Sequence, residues 1–107
     1  MAYGYLLIAI LAEVIATTAL KASNGFTVVI PSIVVVVGYA ISFYLLTLAL
    51  KTLPLGMTYA TWSGMGIVLV SLLGISVFGE RLNVPMVLGM ALIIAGIVIM
   101  HVFATDR

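Results

Sequence analysis

Glu13 stands alone as an acid inside a run of apolar residues from Tyr3 to Leu20. In a helix starting near Tyr3 it lies about 15 Å along the axis, close to the middle of a hydrocarbon layer roughly 30 Å thick. An ionised side chain there costs about 2.5 to 3.5 kcal/mol on insertion scales, so such residues face the bundle interior and carry function. Low dielectric disfavours the charged form, and the carboxyl can hold a proton or a cation but not both comfortably. Leu6, Ala9, Ile10, Ala16, Thr17 and Leu20 share its helix face. The small ones, Ala9, Ala16 and Thr17, leave room beside it. The structural alternative is a pairing with Lys21, but that residue is eight positions on, about 12 Å along the axis.

Two aromatic pairs supply what a cation site needs beside a carboxylate. Tyr39 and Phe43 are spaced i,i+4, and Tyr59 and Trp62 are spaced i,i+3, so each pair occupies one helix face. Aromatic faces attract cations by about 0.5 to 2 kcal/mol per contact, and a tyrosine hydroxyl can hydrogen-bond a carboxylate. Tyr59 and Trp62 also suit an interfacial aromatic belt, a role that Tyr3, Tyr5 and Phe103 fit better. Gly64 and Gly66, with Ser63 and Ser71 nearby, permit a kink serving alternating access or close helix packing. From Gly89 to Ile97 small residues recur at seven-residue spacing without polar atoms, which reads as a packing face. His101 lies close to water and reads as an interfacial side chain rather than a proton relay.

These residues must be positioned by four apolar spans: Tyr3 to Leu20, Val28 to Leu50, Met57 to Phe78 and Pro85 to Phe103. Each is long enough to cross the bilayer. Lys21 to Gly25, Lys51 to Gly56 and Gly79 to Asn83 break them with charge, glycine, proline and small polar residues, and loops this short make neighbouring helices antiparallel. Pro31 and Pro85 fall in first turns, where the missing N–H costs nothing. The fold class is therefore an all-α membrane protein, with residues 1–107 forming a single four-helix transmembrane domain. At 65% hydrophobic and 7% charged residues, the chain lies far outside the usage of globular domains. A net charge of +1 provides no basic face for nucleic acid. No cysteine, one histidine and three scattered carboxylates make no metal cluster, and no cofactor is implied. The absence of a basic residue after Met1, and Glu13 within the first span, argue against a cleaved signal peptide.

Short loops place the N-terminus, second loop and C-terminus on one side, with Lys51 and Arg107; the first and third loops share the other, with Lys21 and Arg81. Orientation follows Lys/Arg bias near span ends, so this tie predicts dual topology. A bias from one dominant loop charge or from the free N-terminal amine is the alternative.

Ala12-Glu13-Val14-Ile15-Ala16-Thr17-Thr18, Lys21 with Ser23-Asn24-Gly25-Phe26, Pro54-x-Gly56-x-x-Tyr59-Ala60-x-Trp62-Ser63-Gly64-x-Gly66, and the stretch from Gly89 to Ile97 together resemble the small multidrug resistance transporters over nearly the whole chain. The resemblance implies a multi-pass protein of the cytoplasmic (inner) membrane, working as an antiparallel, dual-topology homodimer. It implies that the first three helices line a chamber where protons and hydrophobic cations compete for Glu13 of both protomers. Ala9, Thr17, Tyr39, Phe43, Tyr59, Trp62 and Ser63 would line the pocket, with a kink at Gly64 to Gly66. The fourth helices would clasp the partner through Gly89, Leu92, Ile93, Gly96 and Ile97.

Guanidinium exporters of the same family tend to carry a tryptophan three residues after the glutamate and Trp-Thr-Gly in the third helix. Ala16 and Trp62-Ser63-Gly64 instead resemble the branch handling polyaromatic and quaternary-ammonium cations. The chain departs from that branch at Ala16, where glycine is common, and at Thr58 and Thr61, where alanine and an aliphatic residue are expected. A methyl at Ala16 is expected to border the carboxylate and trim the range of bulky substrates. The implied activity is proton-coupled antiport, with no enzymatic step. Two other classes also accommodate a mid-membrane carboxyl: a proton-translocating rotor subunit, whose two-helix hairpin does not predict four spans, and a structural assembly protein.

Overall fold

A computed structural model describes residues 1–103. Four helices follow in order: α1 (Ala2–Ala22), α2 (Val29–Leu50), α3 (Leu55–Phe78) and α4 (Val84–Val102). All four are long and apolar enough to cross a membrane. Their 19 to 24 residues rise roughly 28 to 36 Å at 1.5 Å per residue. Arg107, which enters the charge tie, lies outside the described residues.

The termini of the helices show where local chemistry overrides the hydrophobic pattern. α1 runs on to Ala22, which puts Lys21 in its last turn, where an ammonium complements the helix dipole. α3 starts at Leu55, two residues earlier than hydropathy suggests. Pro54, with φ fixed at −62°, takes the N-cap, and its carbonyl accepts the Thr58 N–H at 3.0 Å. At the other end Gly79 adopts a left-handed φ of 68°, and the N–H groups of Gly79 and Glu80 both return to the Gly74 carbonyl, the latter at 3.1 Å, which satisfies an end carbonyl of the helix. Asn83 caps α4, its Oδ1 accepting the Met86 N–H at 2.9 Å, with proline in the first turn.

The first loop is organised by Ser23, a fully buried polar residue. Its hydroxyl donates to the Leu20 carbonyl at 2.7 Å and accepts the Phe26 N–H at 3.1 Å. Its carbonyl takes the N–H groups of Thr27 and Val28. Asn24, Gly25 and Phe26 all have positive φ, so the chain reverses through three consecutive left-handed residues.

The chain groups into two compact units, Met1–Leu53 and the remainder from Pro54. In the first, α1 and α2 meet through small residues. A Cβ at Gly38 would stand 2.8 Å from the Ala16 Cβ and 3.2 Å from the Ala12 carbonyl oxygen, so glycine is what lets the backbones approach. Ser42, fully buried, donates to the Ala9 carbonyl at 2.7 Å across the same interface. In the second unit α3 and α4 touch less extensively. Ile93 and Ile97 of α4 reach over Gly64 of α3, and Thr61 Oγ1 meets His101 Nε2 at 2.9 Å. No residue of α4 is buried.

Candidate functional site

Glu13 projects from the middle of α1 as a half-buried side chain. Its Oε2 is shut away from solvent and meets no hydrogen-bond partner. A buried acceptor left unpaired costs about 1 to 3 kcal/mol, and more when charged. One turn further along α1, Thr17 Oγ1 lies 2.5 Å from the Tyr39 hydroxyl of α2. The Tyr39 hydroxyl thus ties α2 to the helix that carries Glu13. Its ring stacks on Phe43, centroids 6.0 Å apart and planes at 17°, while Phe43 remains 50% exposed.

Two neighbours of Glu13 pack against α2. Ala9 and Ala16 are fully buried; Ala9 offers its carbonyl to Ser42, and the Ala16 methyl fills the space over Gly38. They hold α1 against α2. Ala9 is thus buried within the α1–α2 contact, and the Ala16 methyl borders Gly38 in the same contact. Elsewhere between α1 and α2 an apolar groove of about 350 Å³ runs past Ala12, Ile15, Val34 and Val37; it presents no titratable group.

In the second unit Tyr59 and Trp62 form a tilted pair, centroids 5.8 Å apart and planes at 42°. Tyr59 is 59% exposed, and Ser63, the next residue after Trp62, is half-buried. α3 is helical without interruption through Gly64 and Gly66, both buried. A Cβ at Gly64 would meet the Ile97 Cδ1 at 2.5 Å and the Ile93 Cγ2 at 2.9 Å, so the packing role is the one this conformation displays. Ile93 and Ile97, expected to face a partner chain, are engaged by α3 here. Leu92 is 73% exposed, and the space in front of Gly89 and Gly96 is open. His101 bonds Thr61, whose own hydroxyl donates to the Met57 carbonyl at 2.8 Å. With that proton committed, the Thr61 oxygen accepts from His101 Nε2–H.

Sequence reasoning passed over Gly38 and Ser42, although their i,i+4 spacing of small residues is a helix-contact signal. It noted Thr58 only as a departure from a pattern, without seeing that its hydroxyl is buried and unpaired.

A sequence profile of the family described as "Small Multidrug Resistance protein" matches residues 1–93. The chain belongs to the small multidrug resistance family. Its relatives within that family include a multidrug transporter of Pseudomonas aeruginosa, 52% identical over 95% of this chain and 93% of the relative. Multidrug transporter EmrE of Escherichia coli is 50% identical over the same shares. Quaternary ammonium compound-resistance protein QacE of Escherichia coli is 46% identical over 94% of this chain and 91% of its own length. Like the family, this member is an all-helical, multi-pass membrane protein.

Proposed function

We propose that this small multidrug resistance protein exports hydrophobic cations, often aromatic or quaternary ammonium, across the cytoplasmic membrane in exchange for protons. The observation that carries the reading is the unpaired, buried Oε2 of Glu13 in the middle of an apolar span. Family membership makes the chain a transporter and not an enzyme. Relatives named for multidrug transport and quaternary ammonium resistance support the substrate class. Glu13 supplies the charge, Thr17 and Tyr39 hold its surroundings in register, and the pairs Tyr39–Phe43 and Tyr59–Trp62 offer π faces to a flat or methylated cation.

Coupling follows from competition. A proton neutralises Glu13 and releases the cation; a cation binds only to the ionised form, so each ligand displaces the other through differential affinity. Two copies of Glu13 in a homodimer would titrate as a coupled pair. We further propose an antiparallel dimer, in which the inward-open and outward-open states are the same structure with protomer roles exchanged, a relation akin to inverted repeats in larger transporters. The line of exposed Leu92 with Gly89 and Gly96, which have open space before them, is where small residues allow a partner helix to approach.

Two measurements decide these points. Binding of a radiolabelled tetraphenyl cation to purified protein is expected to weaken as pH falls, with protons acting as competitive displacers; pH-independent affinity would defeat the exchange mechanism. A C-terminal reporter is expected on both sides of the membrane in comparable amounts, and its confinement to one side would remove the antiparallel arrangement.

A further inference from the structure

Thr58 is 2% exposed, and its Oγ1 is buried without a hydrogen-bond partner. Helical hydroxyls in this chain commonly return to the carbonyl one turn back. Thr18 bonds Val14, Ser32 bonds Val28, Thr61 bonds Met57, Ser71 bonds Ile67 and Ser76 bonds Leu72, all at 2.6 to 3.0 Å. Thr58 has the same acceptor available in Pro54, whose carbonyl takes its backbone N–H, yet its side chain does not use it. Native structures seldom leave such a group unsatisfied without a reason. Thr58 directly precedes Tyr59 and lies one turn before Trp62, so it shares the helix face of Trp62 beside the tilted aromatic pair.

We propose that Thr58 is a specificity-determining residue whose hydroxyl accepts a hydrogen bond from an N–H of a cation seated against Tyr59 and Trp62. The proposal rests on the cation-export reading above and narrows its substrate class. A quaternary ammonium has no proton to donate and leaves the hydroxyl as it stands. A primary aryl-alkyl ammonium satisfies it with a charge-assisted bond, which is stronger than a neutral one. Thr58 thereby widens the range from quaternary cations toward N–H-bearing cations of the same size. In the present conformation the hydroxyl is covered, and it becomes available when cargo is seated on this face of α3.

The test uses a matched pair of probes, naphthylmethylammonium and its N,N,N-trimethyl analogue, bound to the full-length protein in proteoliposomes. Thr58→Val keeps the shape and removes the hydroxyl; Thr58→Ser keeps the hydroxyl. Thr58→Val is expected to weaken the primary ammonium about tenfold, the scale of one hydrogen bond to a charged group, while the trimethyl probe changes by less than about threefold. Thr58→Ser is expected to retain the wild-type ratio of the two affinities. Equal losses for both probes in Thr58→Val, or an unchanged ratio, would overturn the assignment. Failure of the wild-type protein to bind the trimethyl probe in competition with protons would instead overturn the export reading, a result visible before any variant is made.

Discussion

Proteoliposomes carrying Glu13→Gln are expected to lose pH-gradient-driven uptake of a quaternary aromatic cation by about a hundredfold or more, while the protein keeps its helical content and detergent stability. The size of the effect comes from removing the negative member of a desolvated ion pair. Breaking such a pair costs about 3 to 5 kcal/mol, which is two to three and a half decades in affinity. The fold survives because the Oε2 makes no hydrogen bond within the protein, so the amide breaks none there. A neutral side chain at this depth is also cheaper to insert than an ionised one. Two outcomes would contradict the mechanism: uptake within a few-fold of wild type, or loss of uptake accompanied by loss of the folded helices. The first would make the carboxyl dispensable, and the second would make it structural.

Gly38→Ala is expected to destabilise the protein by about 1 to 3 kcal/mol, the usual cost of overpacking a close-fitting contact. The added methyl would meet the Ala16 Cβ at 2.8 Å and the Ala12 carbonyl at 3.2 Å, and neither a Cβ nor a backbone oxygen can swing aside without moving the helix. Gly64→Ala meets atoms at similar or shorter range, the Ile97 Cδ1 at 2.5 Å and the Ile93 Cγ2 at 2.9 Å. These are the ends of side chains that can rotate, so a smaller loss is expected. Gly96→Ala has open space before it and should leave the protomer within about 0.5 kcal/mol of wild type. Unfolding in mixed detergent, followed by circular dichroism, gives the ranking directly. If Gly96→Ala proves the most damaging of the three, a partner covers that glycine; if Gly38→Ala is harmless, the α1–α2 contact is looser than its geometry indicates.

Much of this architecture is legible in the sequence because lipid imposes so few options. Apolar runs of bilayer length separated by lysine, glycine and proline leave little choice but four helices. Glu13 announces itself by being costly, and i,i+3 or i,i+4 spacing fixes which aromatics can stack. What periodicity does not reveal is which neighbour covers a given face. Ala9 and Ala16 share a face with Glu13, and small residues there read equally as space for a ligand and as a seat for another helix. Gly38 and Ser42 decide for the helix, a fact about α2 that α1 alone cannot disclose. The Thr61–His101 bond joins residues forty positions apart, beyond the reach of any local pattern. The start of α3 was obscured by Gly56, which reads as loop, although Pro54 already had the backbone angle an N-cap needs.

The Thr17–Tyr39 bond has a mechanical corollary. Together with the Ser42 bond to the Ala9 backbone, it fastens the hairpin of α1 and α2 at two levels, so shear between those helices would have to break both clamps. A transport stroke in this chain should therefore carry Glu13 and Tyr39 as one rigid lever. Fluorophores attached to the exposed flanks of α1 and α2 would then hold a constant separation throughout turnover.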